Sequence, residues 1–162
     1  MGAVARPTSA VLLAVAVALL LGGCGVGSVD VGGQAPAAED QEACRSLLDA
    51  VPATVADQPR RDIDPEDGWG AAWGEPAIVL KCGVEPPEGF DAVATCTTVE
   101  GIDWYVPTTE PEDTEGDLTM TVVNREPVVE VLLPAQHWPP AATLVDLADT
   151  IREHTARTGT CL

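Results

Sequence analysis

The chain has 162 residues, enough for one domain of ordinary size. It carries 26 acidic against 8 basic side chains, a formal net charge of −18. Such a surface repels nucleic acid and anionic phospholipid headgroups, so DNA and RNA are excluded as partners and the folded part is expected to stand off a bilayer rather than lie on it.

Met1 to Arg6 form a short n-region whose only charged side chain is Arg6. Ala10 to Leu21, AVLLAVAVALLL, is an unbroken apolar run of twelve residues. A membrane-spanning helix needs roughly 18, whereas the apolar core of a secretory signal needs about 7 to 15. The run ends in LGGC, Leu21 to Cys24, which resembles a bacterial lipobox: an aliphatic residue, two small ones, then cysteine. The resemblance implies a signal peptide over 1–23, cleavage before Cys24, and lipid attachment at Cys24. Each buried methylene of an acyl chain such as palmitate contributes about 0.8 kcal/mol, and two or more chains anchor stably where one does not. The expected location is the outer face of the cytoplasmic membrane. The mature chain would have 139 residues and, without Arg6, seven basic side chains and a net charge of −19. One lysine, one asparagine and one phenylalanine among many Ala, Val, Gly, Pro and Asp suggest a GC-rich bacterial genome.

From Cys24 to Ala38 the chain is Gly/Ala-rich without sustained periodicity and reads as a flexible tether, so the folded domain is expected over 39–162. Asp40 is placed to cap a helix through QEACRSLLDAV, with Ala43, Cys44, Leu47, Leu48 and Val51 on one side and Pro52 at its end. Ala53 to Gly74 reads as irregular. Ala77 to Cys82, AIVLKC, reads as a strand between Pro76 and Gly83. Ala94–Val99 and Ile102–Val106 read as a hairpin about Glu100-Gly101, and Leu118–Asn124 and Val128–Leu133 as a second one. A last helix begins near Pro139 or Pro140 and runs to about Thr155, with Leu144, Leu147, Ala148 and Ile151 at helical spacing. These elements predict an α+β domain: an antiparallel sheet of about five strands with two helices on one face.

Apart from Cys24 there are four cysteines, Cys44, Cys82, Cys96 and Cys161. An even number outside the cytoplasm favours disulfides, and four allow three connectivities. The favoured one joins Cys82 to Cys96 across the loop between successive strands and Cys44 to Cys161; the other two stay open. No C-x-x-C is present, and His137 and His154 stand in no zinc-ligand spacing, so neither a thioredoxin-like role nor a metal site is expected.

DIDPEDG, Asp62 to Gly68, falls short of a calcium loop, with Asp67 where the glycine should be and Trp73 where the glutamate should be. It reads as a solvated acidic loop, as does the run of carboxylates from Glu110 to Asp117. Ser46 is the only serine after the tether and has no G-x-S-x-G around it. No phosphate loop or H-E-x-x-H occurs, and no cofactor is expected. The aromatic set is nearly all tryptophan: Trp69, Trp73, Trp104 and Trp138 beside Phe90 and Tyr105. Such indoles either fill a small core or line a groove for a sugar, peptide or lipid.

WGEPAIVLKCGV (Trp73 to Val84), followed by Cys96 and GIDW (Gly101 to Trp104), resembles an actinobacterial family of secreted or lipid-anchored proteins of unknown function. The likeness spans most of the chain after the tether. It implies an envelope location and supplies no reaction, ligand or catalytic residue. The reading is a lipid-anchored envelope protein whose domain binds or scaffolds an envelope partner without catalysis. A small-ligand module using the tryptophans is the second reading, and a hydrolase of envelope polymers the third.

Overall fold

The computed structural model describes residues 2, 27–90, 94–107 and 116–161. The apolar run from Ala10 to Leu21, the LGGC motif with Cys24, and most of the acidic run after Pro107 lie outside the described residues. The chain order is β1 (Val29–Asp30), α1 (Gln41–Ala50), β2 (Thr54–Val55), β3 (Gln58–Arg61), β4 (Ile63–Asp64), β5 (Gly70–Trp73) and β6 (Ile78–Cys82). Then follow β7 (Thr97–Val99), β8 (Ile102–Tyr105), β9 (Leu118–Val123), β10 (Arg125–Glu126) and β11 (Val129–Leu133). A 3-10 turn (Ala135–His137), α2 (Ala141–His154) and β12 (Ala156–Arg157) complete it.

Eight strands form one antiparallel sheet in the order β2-β3-β5-β6-β11-β9-β8-β7. The fold is α+β and disulfide-bonded, with a sheet larger than the expected five strands. The additional strands fold from 53–74, which the sequence presents as irregular. Their residues hide them: β3 is QPRR and β5 is GAAW, without the β-branched alternation that marks a half-buried strand. Every residue of β5 is buried, because both of its faces are covered.

One face carries the helices. Strand alternation sends Ile78, Leu80 and Cys82 of β6 to this side, with Val129, Val131 and Leu133 of β11. Cys44, Leu47 and Leu48 of α1 and Leu144, Leu147, Ala148 and Ile151 of α2 complete the same cluster. Asp40 precedes α1 as expected but makes no side-chain cap; its carbonyl accepts the Cys44 N–H at 2.9 Å instead.

The N-terminal segment covers the other face. β1 pairs in parallel with β4, the Val29 N–H donating to the Asp62 carbonyl at 2.8 Å. Val31 is 1% exposed and packs with Ala72 and Val79. The tether expected over 24–38 is therefore too long: from Val29 to Pro36 the chain is a strap on the sheet. Glycines seat it. A Cβ at Gly70 would stand 3.1 Å from Val31 Cβ and 2.6 Å from the Leu80 carbonyl oxygen, and one at Gly83 would overlap the ring of Pro36. Gly83 also has φ +74°, a conformation that suits glycine.

The disulfides are Cys44–Cys82, with Cα atoms 5.6 Å apart, and Cys96–Cys161, 6.3 Å apart. The favoured pairing of Cys82 with Cys96 and Cys44 with Cys161 is corrected by topology. β6 and β7 are successive strands on that face of the chain, yet β11, β9 and β8 lie between them in the sheet. At about 4.8 Å per strand, Cys96 beside β7 is roughly 19 Å from Cys82. Cys44, on the helix packed over β6, is the partner within reach. On the loop-entropy model each bridge contributes about 4 kcal/mol.

The C-terminus is held by a polar clasp. β12 pairs with β10, and the Arg125 guanidinium donates to the Arg152 and Thr155 carbonyls at the end of α2, both at 2.9 Å. Burial lowers the Arg125 pKa, with Arg157 and Arg152 adding to the shift and Asp103 opposing it. The Asp103 carboxylate accepts from Thr98 Oγ1 at 2.7 Å and from the Cys161 N–H at 3.1 Å. Burial alone would raise its pKa; the hydrogen bonds from Thr98, Cys161 and Asn124, with Arg157 nearby, outweigh it and leave the carboxyl below its ordinary value.

Two outcomes follow from these contacts. Gly83→Ala should destabilise the domain by at least about 2 kcal/mol in urea unfolding, through the left-handed backbone and the overlap with Pro36. Because the folded Asp103 titrates below an unfolded aspartate, its stabilisation is complete above about pH 3.9 and is lost as pH falls through the folded value. Asp103→Asn should therefore lower stability by about 1–2 kcal/mol at neutral pH. The gap to wild type should close in unfolding curves taken at falling pH.

Candidate functional site

The four tryptophans take four different environments. Trp73 is fully buried, its Nε1 donating to the Pro52 carbonyl at 2.9 Å. Trp104 is also core, and its Nε1 finds no acceptor among the described residues. Trp138, between the 3-10 turn and Pro139, is 38% exposed. Trp69 is half-buried, and the Arg45 guanidinium lies 3.7 Å from its ring centroid. Two indoles thus serve the core and one stands on the surface. Trp69 is the one that borders a cavity described below.

That cavity is a cleft of about 200 Å³ between the strap and the ends of β5 and β6. Gly32 to Ala35 form one wall, and Trp69, Lys81 and Gly83 the other. Local structure sets each part. Lys81 is the fourth residue of β6, in register with Gly70 of β5 and Glu130 of β11. Trp69 immediately precedes β5, and its carbonyl accepts the Cys82 N–H at 2.9 Å. Arg45, on α1, is fixed over the indole by bonds to the Asp67 and Gly68 carbonyls at 2.7 and 3.2 Å. The aromatic surface is thereby held still, with one face covered by a cation. Glu85 also lines the cleft. Trp69 stands opposite Cys82 and turns its indole to the α1 side, whereas Lys81, like Val79, alternates to the strap side, so the two bound the cleft from opposite faces of the sheet.

A second, open groove of about 600 Å³ lies between α1 and the end of α2. Sequence reading set Ser46 and His154 aside separately; folding places Ser46 Oγ 3.0 Å from His154 Nδ1, across 108 residues of chain. The groove is also lined by Glu39, Glu42, Glu126 and Glu153. This setting opposes acyl transfer, since four carboxylates would repel the oxyanion that such a reaction develops. The Thr155 N–H on that wall is already bonded to the Ile151 carbonyl at 3.1 Å.

The remaining expected residues are quickly placed. Cys44, Cys82, Cys96 and Cys161 are all disulfide-bonded, which removes them as nucleophiles. In Asp62 to Gly68 the acidic stretch forms β4 and a turn closed by the Gly68 N–H on the Pro65 carbonyl. Among the described residues, no three His, Cys, Asp or Glu side chains are set to hold one metal ion, and no helix is long and apolar enough to cross a membrane.

No curated protein and no solved structure matches the chain. A family model does, over residues 5–159. The chain belongs to that family, described as "Protein of unknown function (DUF3515)".

Proposed function

We propose that the protein is a lipid-anchored component of the bacterial cell envelope. Its domain, on this reading, is a non-enzymatic binding module held close against the outer face of the cytoplasmic membrane. The LGGC motif supports acylation at Cys24. The observation that carries the rest is the fixing of Gly27: its carbonyl accepts from Arg61 Nη2 at 2.6 Å, and pairing with β4 begins two residues later. Gly27 follows Cys24 by three positions, a reach of roughly 10 Å. An anchored domain on so short a leash sits against the headgroups, despite its acidic surface. Arg60 and Arg61, on the strand nearest that end, border a surface hollow with Asp62, Ile63 and Glu66. Asp62, Glu66 and the Glu75 carboxylate paired with Arg61 at 2.7 Å balance these two charges, so on this reading the acyl chains alone hold the domain at the membrane.

Binding is favoured over catalysis because the one Ser–His pair is surrounded by carboxylates and the four described cysteines are bridged. The cleft at Trp69 gives the module its surface. Expression in an actinobacterial host with mass spectrometry of the purified product tests the anchor. Wild type should carry acyl chains on an N-terminal Cys24 and partition into detergent, and Cys24→Ala should lose both properties. Acylation that persists in Cys24→Ala would overturn the reading.

A further inference from the structure

Among the described residues two large apolar side chains stand exposed, Trp138 at 38% and Val145 at 49%. Both belong to one end of the domain. β11 delivers the chain to that end at Leu133, in register with Leu118 at the start of β9. The Ala135 N–H donates to Asp117 Oδ1 at 3.2 Å and His137 Nε2 to the Pro76 carbonyl at 2.7 Å, which fastens the 3-10 turn to the start of β9 and to the β5–β6 turn. Trp138 follows at once, and Pro139 and Pro140 restrict the backbone behind it. The indole is thus presented from a fixed loop. Val145 lies about 6 Å along α2 from its first residue, Ala141. The strap enters at the same end. Arg61 donates from Nη1 to the Gly74 carbonyl and from Nη2 to the Gly27 carbonyl, at 2.7 and 2.6 Å, so one guanidinium ties Gly27 to the β5–β6 turn. From there the strap runs away, passing Gly70 at Val31 and Gly83 at Pro36. Gly27 therefore stands at the Gly74–Pro76 end, and Cys24 can reach no farther than roughly 10 Å from it.

We infer that this end of the domain faces the bilayer and that the Trp138 indole seats in the phospholipid headgroup layer, setting the tilt of a domain that the acyl chains hold. The inference rests on the anchored reading above and adds which end is turned to the membrane and which residue touches it. Tryptophan suits the place, with an apolar ring for the acyl boundary and an N–H for the headgroups. The contact is made by the indole and is not ionic. Glu75 is paired with Arg61, Asp117 accepts the Ala135 N–H and Asp146 the Ala56 N–H, and these carboxylates, with Asp57 in the β2–β3 turn, leave the end without net positive charge to attract anionic lipid. Trp69, half-buried, marks the opposite end. Its carbonyl accepts the Cys82 N–H, whereas Trp73, about 14 Å further along the strand, pairs with Ile78 beside the β5–β6 turn. The two indoles with access to solvent outside the core therefore report on opposite ends of the sheet.

The test uses the full chain purified from membranes in detergent and reconstituted into phosphatidylcholine vesicles, with or without phosphatidylcholine brominated on its acyl chains, which quenches indoles at the headgroup boundary. Wild type and Trp69→Phe should lose tryptophan emission in the brominated vesicles. Trp138→Phe should keep its emission, still sediment with the vesicles and keep the wild-type melting temperature. The quenching should persist at high salt, which screens ionic contacts. The inference is overturned if quenching survives Trp138→Phe, if it is lost in Trp69→Phe, or if high salt abolishes it. Acylation of Cys24 is measured on the same sample. An acylated, vesicle-bound wild type that is not quenched overturns the orientation and leaves the anchor standing; an unacylated one that stays in solution overturns both.

Discussion

The contact on which the rest of the structure depends is the seating of the N-terminal strap on the glycines of β5 and β6. Val31 packs where Gly68 and Gly70 have no side chain, and Pro36 fits over Gly83. These contacts cover the second face of β5 and close off Ala72 and Val79. Without the strap, an interior strand of Gly-Ala-Ala-Trp would be apolar on both faces and covered on only one. Gly68 and Gly70 are therefore required by the approach of another chain segment, and Gly83 both by that approach and by its φ of +74°.

The same seating sets where the domain begins. Arg61 fixes Gly27 from the strand side, so on the proposed anchored reading the distance from fold to lipid would be set by folding rather than by a long flexible linker. On the opposite face the Cys44–Cys82 bridge ties α1 to the strand that the strap covers from behind. β6 is thus fastened from both sides, and the cleft beside the strap opens at its end. At the far edge of the sheet the Cys96–Cys161 bridge and the Asp103 carboxylate hold the last described residues, so the segments from Val29 and to Cys161 are both integral to the fold.

Much of the fold was legible where one physical signal dominated. The helical spacing of Leu144, Leu147, Ala148 and Ile151, the hairpin about Glu100-Gly101 and the strand through AIVLKC all appear in the structure. What escaped was non-local. β3 and β5 carry residues of poor strand propensity and are strands because their neighbours pair with them. The disulfide pairing depended on β11 and β9 inserting between β6 and β7, which adjacency in the chain cannot reveal. The strap looked like a tether because its glycines carry no pattern; its two anchoring residues, Val31 and Pro36, are isolated in the sequence. Trp69 stood out as an aromatic, but the face it takes is set by its pairing opposite Cys82 and by Arg45 arriving from α1, neither of which the sequence displays.

The central claim is that Val29 to Pro36 belong to the domain rather than to a linker. Hydrogen exchange of the backbone amides of Val29 and Val31 in the full chain tests it most directly, since these donate to the Asp62 and Asp64 carbonyls at 2.8 and 3.3 Å. The account predicts protection approaching that of β5 and β6. Exchange as fast as that of an unstructured segment would contradict it, and would remove the support for the proposed apposition of the domain to a membrane.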